Sequence, residues 1–179
     1  MNTVVRSNSV CSCVLLTSRP PPVTFQPIAL AFFGSRQLAC SSKDRDWLYL
    51  AMDFHPGGDL YTRIGRSGGK LPPHECLFYL ACVTEGLDYL HRNDLLYRDL
   101  KPENVLISKD GYAILCDFGF AKKMDRGVRS TGTMCGTPRY LAPEIISQRG
   151  YGKAVDLWAL GIFFWECMVG ISPHQVRVQ

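Results

Sequence analysis

The feature that most constrains this chain is an eight-residue segment, Tyr97-Arg98-Asp99-Leu100-Lys101-Pro102-Glu103-Asn104, lying between a predicted helix and a predicted hairpin. An acid, a lysine two residues on and an asparagine five residues on can converge on one point from a tight loop. The carboxylate can orient a hydroxyl, the ammonium can meet phosphate charge, and the amide oxygen can hold a hard metal, a set that suits phosphoryl transfer. Thirteen residues after Asn104, directly behind the second hairpin strand, comes Asp117-Phe118-Gly119. There a second acid could reach the same metal while Gly119 lets the chain turn away. Alone, that tripeptide would arise by chance in roughly a few per cent of chains of this size. Beside the eight-residue loop, chance is a poor explanation.

The surrounding pattern supplies a frame. Trp47–Met52 reads as a buried strand and Leu38–Ser42 as its weaker partner across the polar turn Lys43–Asp46. Pro56-Gly57-Gly58 breaks the strand and offers Asp59 as a helix N-cap. A helix is predicted from Pro72-Pro73 to about His91, with Leu77, Leu80, Ala81, Thr84, Leu87 and Leu90 as its core-facing stripe. Val105–Ile107 and Ala113–Cys116 are short strands joined across Lys109-Asp110-Gly111, a strong turn signal. Residues 119–138 are rich in Gly, Thr and Ser and lack periodicity, which suggests a functional loop. Val155–Val169 is apolar nearly all round, so a buried helix is expected, with Trp158, Phe163, Phe164 and Trp165 in the core.

With 46% hydrophobic and 20% charged residues, the chain suits a globular domain and excludes a disordered or collagen-like one. Its formal charge of +4 comes wholly from the first 43 residues, which hold Arg6, Arg19, Arg36 and Lys43 and no acid. The remainder is neutral, which argues against nucleic acid as a partner. No stretch is apolar for the roughly 20 residues that a membrane span needs. Residues 1–36, interrupted by Pro20-Pro21-Pro22 and Pro27, are expected to be a poorly ordered or non-domain leader, an organelle-targeting segment being the alternative. Residues 37–179 form the domain. The eight cysteines are scattered without paired C-x-x-C spacing and read as packed thiols of a reduced, cytoplasmic protein rather than a disulfide framework.

Taken together, the loop, Asp117-Phe118-Gly119-Phe120-Ala121-Lys122, Cys135-Gly136-Thr137-Pro138 and Gly150–Trp158 resemble the eukaryotic protein kinase family, closest to the group of cAMP- and cGMP-dependent kinases. The resemblance implies an α+β fold of that family with a mostly helical C-terminal lobe. Only a strand-hairpin remnant of the N-terminal lobe would be present, and the last helices would be absent. It implies a Ser/Thr protein kinase that uses ATP and Mg2+. Asp99 would accept the substrate hydroxyl's proton, Lys101 would stabilise the transferring phosphoryl group, and Thr137 would hydrogen-bond both. Asn104 and Asp117 would hold magnesium. The backbone at Asp53 and His55 would bind adenine, with Met52, Asp59 and Cys116 also at the nucleotide. Thr133 would be the phosphosite of an upstream activating kinase, its phosphate pairing with Arg98. Asp156 would brace the catalytic loop's backbone.

Asp59, Glu103 and Glu166 match positions that receive substrate arginines, which implies protein substrates with basic residues before the Ser/Thr. Arg139 departs from that pattern, standing where the group usually has Glu. Two parts of the family's nucleotide clamp are not found. Gly34 is the only glycine before Gly57, so no G-x-G-x-x-G loop precedes the hinge, and no Val-Ala-Ile-Lys strand supplies a phosphate-pairing lysine. A lysine–phosphate contact at about 4 Å is worth roughly 4 kcal/mol at an effective dielectric near 20, close to a thousandfold in rate. The expectation is therefore an incomplete catalytic domain, weak or inactive as this chain. The alternative is a catalytically impaired fragment acting as a binding or regulatory module.

Overall fold

The longest element, α2 (Pro73–Arg92), organises the rest. Proline at its first position loses no helical hydrogen bond, Glu75 lies in its first turn, and His91 and Arg92 lie in its last, each sign matching the helix dipole. The computed structural model describes residues 12–17, 38–43, 45, 48–124 and 130–175. Before α2 come strands β1 (Ser12–Thr17), β2 (Leu38–Lys43) and β3 (Leu48–Asp53) and the short helix α1 (Leu60–Arg66). After it come β4 (Leu95–Leu96), β5 (Val105–Ile107), β6 (Ala113–Leu115) and β7 (Lys122–Lys123). Helices α3 (Pro143–Ile146) and α4 (Ala154–Val169) complete the set.

The first three strands form an antiparallel sheet in the order β1-β3-β2. Pairing of β2 with β3 is the hairpin the sequence predicts. Strand β1 is not: it falls within residues 1–36, expected to stay outside the domain, yet Ser12–Thr17 pairs with β3 along its full length. The physical reason is that β3 is apolar and has two edges, while β2 covers one. The rest of residues 1–36 lies outside the described residues, as does the turn between β2 and β3 except Arg45. Strands β5 and β6 form the second hairpin, and β4 pairs with β7.

The main core gathers Leu60 and Ile64 of α1, Val83, Leu87 and Leu90 of α2, the hairpin residues Val105 and Leu115, and Ile162 and Phe163 of α4. A second cluster joins Leu96, Met124, Ala142, Ile145, Tyr151 and Val155 beneath the segment that follows the hairpin. Helix α4 ends at Gly170, where φ is +89° and a Cβ would lie 2.2 Å from the carbonyl oxygen of Gly69. Only glycine satisfies both conditions.

Two core assignments differ from expectation. In α2 the buried positions are Cys76, Tyr79, Val83, Gly86, Leu87 and Leu90, whereas Leu77, Ala81 and Thr84 are exposed. The stripe is thus turned by about one residue, onto the face that meets α4 and the β5–β6 hairpin, where a Cβ on Gly86 would lie 3.1 Å from the Leu115 side chain. In α4, Phe163 is fully buried, but Trp158 and Trp165 are 39% and 44% exposed and Leu157 is 57% exposed. Only one face of α4 packs on the core, so Val155, Asp156, Ala159, Ile162, Phe163, Glu166 and Cys167 form the buried stripe at helical spacing. Burial also pushes the Cys76 and Cys167 thiols up, and neither forms a disulfide.

Phe163→Ala should lower the unfolding free energy of the full chain by about 3–5 kcal/mol, and Leu157→Ala by less than about 1 kcal/mol. Urea denaturation followed by far-UV circular dichroism checks the pair; a larger loss in Leu157→Ala would place α4 the other way round.

Candidate active site

The site grows from α4 outward. Asp156, in the first turn of α4, is completely buried. Its Oδ1 accepts the Arg98 backbone N–H at 2.8 Å, and its Oδ2 accepts that of Tyr97 at 2.9 Å. His91 Nε2, from the last turn of α2, hydrogen-bonds Oδ2 at 2.8 Å. A buried carboxylate is tolerated only when so satisfied. Here the satisfaction fixes the backbone of the loop that carries the chemistry. Arg98 takes φ of +67°, a conformation non-glycine residues rarely adopt, and the bond to its N–H helps to hold it there.

Three successive side chains then diverge. The Tyr97 ring is fully buried against Phe118, with ring centroids 5.4 Å apart, and its hydroxyl donates to the carbonyl of Cys116. Burial, with nearby Cys116 and Asp117 adding to it, pushes this phenol well above its ordinary range, so it stays a neutral donor. Arg98 Nε donates to the Phe120 carbonyl at 2.6 Å, and another guanidinium nitrogen donates to the Tyr151 hydroxyl at 2.9 Å. The Tyr151 hydroxyl in turn donates to the carbonyl of Thr133. The Thr133 side chain is exposed, and its backbone stands one tyrosine away from Arg98.

Asp99 is 3% exposed and sits at the centre of a closed set. Its Oδ2 accepts Lys101 Nζ at 2.9 Å and Asn104 Nδ2 at 2.8 Å, while its Oδ1 accepts the Thr137 hydroxyl at 2.7 Å. Lys101 Nζ also donates to Thr137 Oγ1 at 2.9 Å. Local sequence explains the convergence. Lys101 is extended, Pro102 starts a single turn of 3-10 helix over Pro102–Asn104, and Asn104 swings back to the Asp99 carbonyl, donating at 2.9 Å. Thr137 is brought in after Gly136, whose φ is +110° and whose Cβ, if present, would sit 2.7 Å from the Arg98 carbonyl oxygen.

Asp117 belongs to the same end of the hairpin, because Cys116 N–H donates to the Asn104 carbonyl at 2.9 Å. Its side chain is exposed and accepts the Gly119 N–H at 3.1 Å; no bond joins it to Asp99 or Asn104. The Asn104 amide oxygen and the Asp117 carboxylate are hard donors that flank the β5–β6 hairpin, one before β5 and one after β6. Magnesium takes few protein ligands and completes its shell with phosphate oxygens and water, so this donor set fits it. Among the described residues no group of three or more His, Cys, Asp or Glu could hold an ion unaided.

The remaining expected residues are placed differently. Met52 and Asp53 close β3, opposite Cys13 and Ser12 of β1; their side chains lie outside the described residues. The His55 carbonyl accepts the Gly58 N–H at 3.2 Å in the turn that follows. Cys116 is buried. The three carboxylates expected to share an open groove each have an internal partner. Asp59 caps α1 through Thr62 N–H at 2.7 Å and Thr62 Oγ1 at 3.0 Å. Glu103 Oε1 accepts Arg139 at 2.8 Å. Glu166 is 5% exposed and accepts the Tyr140 hydroxyl. The sequence reading missed His91, Tyr140 and Tyr151 as partners. Their positions, at a helix end, beside Arg139 and after Gly150, carry no periodic signal.

Comparison with known proteins accords with this geometry. The protein kinase domain family matches residues 37–179. The chain is 49% identical over 133 residues to the cGMP-dependent protein kinase egl-4 of Caenorhabditis elegans, covering 74% of this chain and 17% of that protein. It is 48% identical over 130 residues to the human cAMP-dependent protein kinase catalytic subunit PRKX, covering 73% and 35%. It is 49% identical over 137 residues to the cAMP-dependent protein kinase catalytic subunit 3 of Drosophila melanogaster, covering 76% and 23%. The chain belongs to the protein kinase family, and these relatives are its cAMP- and cGMP-dependent members. It spans less than half the length of these curated relatives.

Thr137→Val should cost about 1–3 kcal/mol, because it strands Asp99 Oδ1 in a buried place, whereas Thr137→Ser should cost well under half as much. Equilibrium denaturation of the two variants checks this; a larger loss in Thr137→Ser than in Thr137→Val would mean that the methyl group, not the hydroxyl, matters.

Proposed function

We propose that this chain carries the phosphoryl-transfer centre of a Ser/Thr protein kinase, moving the γ-phosphoryl group of ATP to a protein hydroxyl. The observation that carries the reading is the closed set of Asp99, Lys101, Asn104 and Thr137 at the hairpin end that also bears Asp117. Asp99 would orient the attacking hydroxyl and accept its proton, since both of its oxygens already point where hydrogen-bond donors gather. Lys101 would offset the charge of the transferring group, and Thr137 would keep both side chains in position. Asn104 and Asp117 would hold magnesium, with Asp117 turning from the Gly119 N–H to do so. Magnesium, when bound, supplies neutralisation of the phosphate oxygens' charge. Adenine would lie against the β3 end at Met52, Asp53 and His55, with Asp59 and Cys116 at the nucleotide's edge. Phosphate on exposed Thr133, added by an upstream kinase, would draw Arg98 to it. Of the three carboxylates, Asp59, whose partner Thr62 is neutral, would favour protein substrates carrying basic residues before the Ser/Thr.

A second reading is a binding or regulatory module with little turnover. It is favoured by one fact, that Gly34 is the only glycine before Gly57, which leaves no glycine-rich phosphate loop between residue 1 and the hinge of this chain.

Incubating the purified 179-residue chain with magnesium, ATP and Ser-containing basic peptides separates the two. Slow transfer that falls by at least about 100-fold in Asp99→Asn supports the first. Magnesium-dependent ATP binding without transfer supports the second. Transfer indifferent to Asp99→Asn, or no ATP binding at millimolar concentration, would contradict the phosphoryl-transfer reading.

A further inference from the structure

Arg139 and Glu103 sit on the two segments that form the catalytic cluster. Arg139 is two residues past Thr137, and Glu103 is four residues past Asp99. The Thr137–Asp99 hydrogen bond at 2.7 Å and the Arg139–Glu103 ion pair at 2.8 Å therefore tie the same two segments at successive points. An extended peptide rises about 3.3 Å per residue, so a peptide with its hydroxyl at Asp99 passes the ion pair within a few residues.

The surroundings of Arg139 are those of a bound guanidinium. Its central carbon lies 5.4 Å from the centroid of the Tyr140 ring, and the Tyr140 hydroxyl donates to buried Glu166. Burial works against the charge of Arg139, but Tyr140, Glu166 and Glu103 outweigh it and raise the group's pKa. The ion pair uses one contact only: Arg139 Nε and Glu103 Oε2 are buried with no hydrogen-bond partner among the described residues. Glu103 in direct contact and the Tyr140 ring, with Glu166 behind the ring's hydroxyl, thus form a cradle for one guanidinium, and the chain's own arginine occupies it.

We propose that Arg139 is a resident guanidinium that closes the Glu103–Tyr140–Glu166 cradle to substrate arginine, so that the peptide residue lying over this cradle is uncharged. Preference for basic residues then falls to Asp59 at the start of α1, whose carboxylate is hydrogen-bonded among the described residues by the neutral Thr62. This inference rests on the phosphoryl-transfer reading and narrows its substrate class.

The test uses the full chain and Ser-centred peptides with Arg, Ala or Glu placed in turn at each position before the serine. Dissociation constants come from fluorescence anisotropy, with transfer rates measured in parallel. The wild-type profile should show one position where Arg gains nothing over Ala. At that position Arg139→Ala should gain preference for Arg by about fivefold and Arg139→Glu by more, while Arg139→Lys keeps the wild-type profile. A wild-type chain that prefers Arg at every position overturns the proposal without any variant. So does a gain in Arg139→Ala spread evenly over all positions, which would be an effect of net charge alone. Unchanged positional preference with transfer intact defeats this inference but not the phosphoryl-transfer reading; absence of both peptide binding and transfer in every form defeats the two together.

Discussion

One buried carboxylate holds the catalytic half of this molecule together. Asp156 reaches from the first turn of α4 to two consecutive backbone N–H groups, Tyr97 and Arg98, and to His91 at the end of α2. Placing the charge in the first turn of a helix sets it in the favourable field of the helix N-terminus. The three hydrogen bonds offset its desolvation, and removing any of them leaves a buried acceptor short of partners. Through this contact two helices and a loop become one rigid unit, which a site that must place several groups within fractions of an ångström requires.

Because the backbone at Tyr97 and Arg98 is fixed, three neighbouring side chains can each tie down a different segment. Tyr97 reaches the carbonyl of Cys116 and so aligns the hairpin end that carries Asp117. Arg98 reaches Phe120 and Tyr151, beside Thr133. Asp99 gathers Lys101, Asn104 and Thr137. The chemistry and the stability of this region are therefore one network, in which no member can be changed without leaving another unpaired. The Arg139–Glu103 pair extends the same network outward to the surface over which a peptide would lie.

Much of this was legible in the sequence wherever a short segment determined its own shape. The Asp99-Leu100-Lys101-Pro102-Glu103-Asn104 spacing folds through a single proline-initiated turn, so its convergence follows from local geometry. The second hairpin followed from Lys109-Asp110-Gly111, and Asp59 as a cap from the broken strand before it. What sequence pattern did not show depends on contacts between distant segments. The rotation of the α2 stripe onto Cys76, Tyr79 and Gly86 is set by what α4 and the β5–β6 hairpin present to it. Apolarity all round α4 does not reveal which face packs, so the sequence does not separate the outward Trp158 and Trp165 from the buried Phe163. The β1 strand is set by its pairing with the open edge of β3, a contact 30 or more residues away that no local pattern reports. Glu103 and Glu166 read as free acids until Arg139 and Tyr140, 36 and 26 residues away, are brought beside them.

The central claim is that Asp156 holds the catalytic loop in place, and amide hydrogen exchange on the isosteric variant Asp156→Asn tests it most directly. The substitution turns one accepting oxygen into a donor, so protection at Tyr97 or Arg98 should fall by about tenfold or more while protection in α1 is retained. Unaltered exchange at both amides, in a variant that remains folded, would contradict the account.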